Sequence, residues 1–299
     1  MAFSMHSHSG QFCPGHAKDT LEEVVQSAIS HGMQTFALTE HMPRDSDDDM
    51  YPDEVSTAPL RPRHERFLIE AAKLREKYAG KIKILIGFEG EWIRPCYAGL
   101  MKELASNPVI DFYIGSVHHV HAIPIDYDVV FYRKAREVAG GSDERLFEDY
   151  FDAQFEMLNA LKPRVVGHLD LIRLLSDEPN RDLREIKGVW EKVVRNLKVI
   201  IEQGGLVEVN TSGLRKGLKE PYPTRSVCEE FLGMGGMLTL SDDSHGIAHV
   251  GTNYERGIEY LESLEVKELY ALDGKNGDMK SQVSVRSVTL ASIRKSFKA

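Results

Sequence analysis

Two hydrophobic periods alternate along this chain. Ala2 to His8 has the character of a short strand. Thr20-Leu21-Glu22-Glu23 then has the form of a capping box, in which the threonine hydroxyl accepts from a first-turn amide and Glu23 reaches back. Leu21, Val24, Val25, Ala28 and Ile29 follow at the spacing of one helical face, and Gly32 closes the helix. Thr35 to Thr39 predicts a second strand. The succession continues with helix-like segments near 61–79, 96–106, 143–161, 182–203, 223–234 and 250–263. Between them lie the apolar runs KIKILIGFE, VIDFYIGSVH, RVVGH, LVEVN and MLTLSDDSH, which makes seven strands in all. Alternating strands and helices imply a parallel sheet. Seven such units in 299 residues predict one closed α/β barrel, a single domain over residues 1–299.

Two segments depart from the pattern. Arg44 to Pro62 is acidic and contains proline, with Asp45, Asp47, Asp48 and Asp49 close together, and reads as a long solvated loop. Beyond about Leu272 the chain is polar and then basic, and the periodicity assigns it no element.

Composition narrows the function classes. A formal net charge of −9 argues against a nucleic-acid surface, which needs a basic stripe. The three cysteines, Cys13, Cys96 and Cys228, are odd in number and form no C-x-x-C pair, so a disulfide framework or a cysteine zinc site is not expected. No apolar run approaches the ~18 residues of a membrane span. The start, MAFSMHSHSG, lacks the basic and apolar stretches of a signal peptide. The expectation is a cytoplasmic protein with neither membrane nor nucleic acid as partner.

The placement of histidines and acids carries the chemistry. His6 and His8 end the first predicted strand, Glu40 and His41 the second, and Glu89 the third. His118, His168 and Asn210 end the next three, and Asp243 and His245 the last. In a parallel barrel all these ends open on one face, which holds the active site. His6 and His8 are an i, i+2 pair and project to one side of a strand, as do Asp243 and His245. Alone, a histidine at any of these places is more often a packed or surface residue. Their recurrence at successive strand ends points to metal. A catalytic zinc needs about three or four protein ligands, and roughly twice that number would converge here. Two or three divalent ions fit, and zinc, manganese and iron all suit imidazole and carboxylate.

The stretches MHSHSG, LTEHMPR, GFEGE, GSVHHV, VVGHLDL and LSDDSHG resemble the motifs of the PHP (polymerase and histidinol phosphatase) family. IPIDYD and EVNTSGLRKGLKEPYPT resemble its histidinol-phosphatase branch, and the likeness spans about residues 5–254. The resemblance implies a distorted (β/α)7 barrel with a trinuclear metal site. Carried over residue by residue, it implies one metal on His6, His8, Glu89 and Asp243. A second would lie on Glu89, as a bridge, with His118 and His168, and a third on His16, His41 and His245. Glu91 is a rival to Glu89, and the Gly-x-Glu spacing favours Glu89. The implied activity is hydrolysis of a small phosphate monoester, L-histidinol phosphate, with Glu89, Asp243 and Arg215 as catalytic residues.

Clustered cations suit that chemistry, because they acidify a bound water and neutralise phosphoryl oxygens. Arg215, in TSGLRKG, is the first choice to bind the phosphate, since a guanidinium can grip two oxygens; Arg44 is the second. Asp126 or Asp128 could meet the substrate amine. Of the other histidines, His31 should cap a helix C-terminus and His64 should be exposed. His119 should point away from its neighbour His118, and His121 and His249 carry no assigned role. The competing readings are a PHP-type phosphoesterase or nuclease on another phosphate ester, and a non-catalytic metal-binding scaffold.

Overall fold

The computed structural model describes residues 1–52, 54–273 and 283–297. Its strands in chain order are β1 (Ala2–Ser4), β2 (Ser7–His8), β3 (Met33–Leu38), β4 (Lys83–Ile86), β5 (Glu89–Glu91), β6 (Ile114–Ser116) and β7 (His119–Val120). There follow β8 (Ile123–Pro124), β9 (Val165–Val166), β10 (Leu206–Asn210), β11 (Met237–Ser241), β12 (Ser244–His245), β13 (Glu268–Leu272) and β14 (Val285–Thr289). The helices are α1 (Leu21–Ser30), α2 (Leu60–Lys77), α3 (Tyr97–Ala105), α4 (Val129–Val138) and α5 (Asp143–Leu161). After them come α6 (Lys187–Glu202), α7 (Ser212–Arg215), α8 (Arg225–Gly233), α9 (Tyr254–Ser263) and α10 (Leu290–Ser296). No helix among the described residues is long and apolar enough to cross a membrane.

The fold is α/β with parallel strands, as the alternation requires. The Thr20–Glu23 capping box forms with both of its bonds, and Gly32 follows α1 at a φ of 76°. In place of one continuous ladder of seven strands, the described residues form two larger parallel sheets, β1-β3-β4 and β11-β10-β9-β6-β5, and a two-stranded parallel pair, β12-β2. The reason lies in KIKILIGFE, which reads as one strand but is two. β4 pairs with β3 and β5 pairs with β6, so the chain passes from one sheet to the other at Gly87-Phe88. A side chain at Gly87 would meet the Phe112 carbonyl at 2.7 Å, so the crossing needs glycine. Hydrogen bonds join the sheets at both margins. Met42 N donates to Glu89 O at 2.9 Å on one side, and Met5 N donates to Leu240 O at 3.2 Å on the other.

Buried apolar side chains from both sheets and their covering helices form one continuous core, from Phe3 and Phe36 to Phe231 and Leu261. The strand C-termini emerge at one end of it. The first predicted strand also breaks, at Met5-His6, so that β2 leaves β1 and pairs with β12, setting Ser7 beside Ser244 and His8 beside His245. The acidic loop is not wholly solvated. Asp49 is buried because Arg94 and Tyr97, which lie ahead of and at the start of α3, reach back to it with bonds of 2.7–3.2 Å. Of the tail beyond about Leu272, residues 274–282 and 298–299 lie outside the described residues. The remainder forms β14, antiparallel to β13, and α10, whose Ser296 accepts from Ala2 N at 2.5 Å.

Candidate metal centre and its pocket

The strand ends do converge. His6 sits at the break between β1 and β2, and His8 closes β2. His41 follows β3, Glu89 opens β5, and His118 follows β6. His168 lies two residues after β9, and Asp243 lies between β11 and β12 with a φ of 48°. That left-handed backbone costs energy in a residue with a side chain, and such positions gather at functional sites.

Glu89 is the centre of the arrangement and is 1% exposed. One of its oxygens, Oε2, lies 3.2 Å from His6 Nε2, 3.4 Å from His8 Nε2 and 3.2 Å from His41 Nδ1. The other, Oε1, lies 3.3 Å from His118 Nε2 and 2.9 Å from His168 Nε2. Asp243 Oδ1 stands 3.4 Å from His8 Nε2 and 3.8 Å from His6 Nε2. Three groups have donor atoms mutually within 4.8 Å: His6, His8 and Glu89; Glu89, His118 and His168; and His8, His41 and His245. His16 is exposed at the rim, its ring edge-on to His245 at 4.4 Å and 5.7 Å from His41.

The donor set fits divalent cations on three counts. His6 Nε2, His8 Nε2, His41 Nδ1 and His245 Nε2 are buried without a hydrogen-bond partner, so their lone pairs are uncommitted. His118 Nε2 and His168 Nε2 face each other at 3.2 Å, an approach that a shared cation satisfies for both rings. The cluster also draws positive charge. Burial by itself depresses the pKa of His6, yet Glu89, Glu208 and Asp243 outweigh it and raise that pKa well above the usual range. Burial is likewise outweighed at His8, pushed up to about 9 by Asp243 and Glu89, and at His118, pushed up to about 9 by Glu89. Glu89 itself is held well below the carboxylate range, because His6, His118 and His41 overcome its burial. Carboxylates that bind protons onto neighbouring imidazoles this firmly would bind a metal in exchange for those protons.

Outer contacts fix the rings. Glu208, buried in the middle of β10, takes a bond from His6 Nδ1 at 2.9 Å and, on its other oxygen, one from His168 N at 2.9 Å. It thereby sets the His6 tautomer that leaves Nε2 as the donor. The sequence carried a signal for it: an acid inside the apolar run LVEVN, two residues before Asn210 and so on the same side of the strand. Glu91 is fully buried, 3.0 Å from His41 Nδ1 and 3.2 Å from Arg44 Nη1. Arg44 also pairs with Glu54 and lies over the Tyr51 ring at 4.8 Å, so its guanidinium is engaged by protein groups. Arg215 Nη2 donates to the Asp243 carbonyl at 3.0 Å, while its Nε is buried without a partner. Its neighbour Lys216 lines the pocket.

That pocket opens above the donor cluster. His41, Glu89, His118, His168, Asp243 and His245 lie on its wall, and Met42, Phe12, Leu60 and Phe67 form an apolar side. His64 is buried on that side rather than exposed, its ring 6.0 Å from Phe67 and 6.1 Å from Phe88. The expectation failed because α2 turns His64 inward with Phe67 and Leu68. Burial and the charge of Arg61 depress its pKa to about 4. The histidines given other roles fall as follows: His31 caps α1, and His119 is buried with its ring 5.3 Å from that of Tyr51. His121 pairs with Asp149 at the surface, and His249 Nδ1 accepts from His245 N at 3.3 Å.

Residues 4–212 match the family model described as the PHP domain. The chain belongs to the PHP domain family. A Schizosaccharomyces pombe protein named "Probable histidinol-phosphatase" is 42% identical over 295 residues, 96% of each chain. The Saccharomyces cerevisiae histidinol-phosphatase is 34% identical over 293 residues, 86% of this chain and 87% of that one. Among solved structures, the histidinol phosphate phosphatase of Lactococcus lactis, complexed with zinc, L-histidinol and phosphate, superposes with a TM-score of 0.70 at 19% identity. The match covers 95% of this chain and 98% of that one.

Proposed function

We propose that the chain is a metal-dependent phosphomonoesterase that hydrolyses L-histidinol phosphate to L-histidinol and phosphate, a step of histidine biosynthesis. The observation that carries this reading is Glu89, which presents one oxygen to each of two histidine groups at the floor of a pocket. The named activity of relatives at 42% and 34% identity supports it. In this reading the two sheets are parts of one distorted (β/α)7 barrel, a single domain, whose strand ends all face the pocket.

Two or three divalent ions would be held, chosen among zinc, manganese and iron. His6, His8, Glu89 and Asp243 would hold one, and Glu89, His118 and His168 a second. His41 and His245 would hold a third, with His16 or His8 completing it. Such ions supply the Lewis-acid charge that neutralises a phosphoryl group and acidifies water. The protein's own part is to orient and to bind. Glu208 and Asn210 hold the His6 ring and the Asp243 carboxylate, at 2.9 and 3.4 Å. Arg215, braced on the Asp243 carbonyl behind the pocket wall, would reach the phosphate beside Lys216, which lines the pocket.

Arg215→Ala is expected to lower kcat/KM for L-histidinol phosphate by about one to two decades, the worth of one charged hydrogen bond, with bound metal unchanged. Arg215→Lys should recover only part of that loss, since an ammonium cannot grip two oxygens in a plane. Steady-state kinetics alongside elemental analysis checks both. The function itself is tested by phosphate release from a panel of phosphomonoesters. L-histidinol phosphate is expected to give the highest kcat/KM. A clear preference for an unrelated ester, or for a nucleic acid, would overturn the assignment.

A further inference from the structure

Five carboxylates line the pocket: Glu40, Glu54, Glu89, Asp126 and Asp243. Four are committed. Glu89 and Asp243 belong to the donor cluster. Glu40 accepts from Ser9 N at 2.9 Å and from Ser9 Oγ at 2.6 Å on one oxygen, and its other oxygen is buried away from solvent, 3.9 Å from His8 Nδ1. Glu54 pairs with Arg44 and accepts from Tyr51 N at 2.7 Å. Asp126 differs. It is half-buried on the pocket wall, and its carboxylate takes no hydrogen bond or ion pair from any described residue.

Its backbone is nevertheless firmly placed. β7 and β8 form a hairpin whose two turn residues, His121 and Ala122, have φ of 54° and 57°, the geometry of a tight primed turn. His121 ties that turn to α5 through Asp149 at 2.7 Å. Just after β8, Ile125 N donates to the carbonyl of His118 at 2.9 Å, which fastens the segment to a residue of the donor cluster. Two residues beyond Asp126, Asp128 caps α4 through Val130 N at 2.7 Å and Phe131 N at 2.8 Å. The sequence left the substrate amine to Asp126 or Asp128. The cap consumes Asp128, while Asp126 faces the cavity, and its charge bears on His16, His118 and Tyr51 around the pocket.

We infer that Asp126 is a specificity residue that receives the ammonium of an amino-alcohol phosphate ester, an inference that rests on the phosphatase reading above. In such an ester the ammonium-bearing carbon is one removed from the carbon that carries the ester oxygen. A phosphate seated on the donor cluster therefore brings the ammonium to the nearby wall. A fixed carboxylate with no internal partner is not drawn off by a competing cation of the protein. It distinguishes the amino ester from esters that lack the positive charge.

The test compares full-length, metal-loaded wild type with Asp126→Asn on L-histidinol phosphate and on its analogue lacking the amine. The inference predicts a fall of about ten- to a hundred-fold in kcat/KM for the amino ester, as for the loss of one charged hydrogen bond. The amine-free ester should change by less than about two-fold, since the contact it tests is never made. Equal losses on both esters would overturn the inference, showing a role in folding or metal binding, and so would no loss on either. A wild type that fails to hydrolyse L-histidinol phosphate would overturn the phosphatase reading itself, a result separable from a wild type that is active beside an unaltered Asp126→Asn.

Discussion

Replacing Glu89 with glutamine is expected to lower kcat by at least about a thousand-fold, because charge stabilisation would be weakened at once at both of the cations that the proposed centre places on it. Its two oxygens face different groups: Oε2 faces His6, His8 and His41, and Oε1 faces His118 and His168. Glutamine keeps the shape but presents an amide nitrogen to one of them, and that nitrogen is no ligand. Removing the negative charge also takes away the carboxylate that both histidine groups share, leaving Glu208, Asp243 and Glu91 to face His6, His8 and His41. The variant should therefore lose bound metal as well as turnover, and elemental analysis beside steady-state kinetics reads both. Wild-type kcat with full metal content would show that the bridge lies elsewhere.

Glu91→Gln should fail differently. From the sequence, Glu91 is only the rival carboxylate, and its loss is expected to cause modest effects. The structure raises that expectation, because Glu91 is fully buried, holds Arg44 Nη1 at 3.2 Å and lies 3.0 Å from His41 Nδ1. Burial would raise its pKa, but Arg44 and His41 hold it far below the ordinary carboxylate range. Neutralising Glu91 leaves a buried guanidinium with Glu54 as its remaining acidic partner. Breaking a buried pair costs about 3–5 kcal/mol, and the retained Glu54 places this case near about 3. A depressed folded-state pKa contributes stability that is present above the unfolded pKa and lost only as pH falls through the folded value. The gap in Tm between wild type and variant should then persist from neutral into mildly acidic pH. Calorimetry across that range checks it, and coincident transitions would mean that the pair contributes nothing to stability.

Much of the site is written in the sequence because its donors sit at strand ends. Each of His6, His8, His41, Glu89, His118, His168, Asp243 and His245 follows or closes an apolar run, and a parallel arrangement brings such ends together without knowledge of any tertiary contact. The parts that stayed hidden depend on contacts between distant segments. Glu208 looks like one acid in a strand until His6, 202 positions away, is seen to donate to it. Asp49 belongs to a charge run that looks solvated until Arg94 and Tyr97 cover it. His64 has the polar neighbours of an exposed position, yet the rotation of α2 places it with Phe67 against the pocket. The split of KIKILIGFE depends on partners as well, since an apolar run does not reveal that its halves pair with different sheets. α4 and the β13–β14 hairpin were missed for a simpler reason. α4 presents Val130 and Val138 to the surface, which blurs the helical stripe, and the hairpin is interrupted by the polar run after Leu272.

The central claim is that this chain gathers more than one divalent ion into a hydrolytic centre. Elemental analysis of the purified protein, with phosphate release from L-histidinol phosphate measured before chelation, after it and after re-addition of metal, tests that claim most directly. The account predicts two or three equivalents of a divalent transition metal, loss of activity with the metal, and recovery on adding back zinc, manganese or iron. Full turnover by protein shown to be metal-free would contradict it.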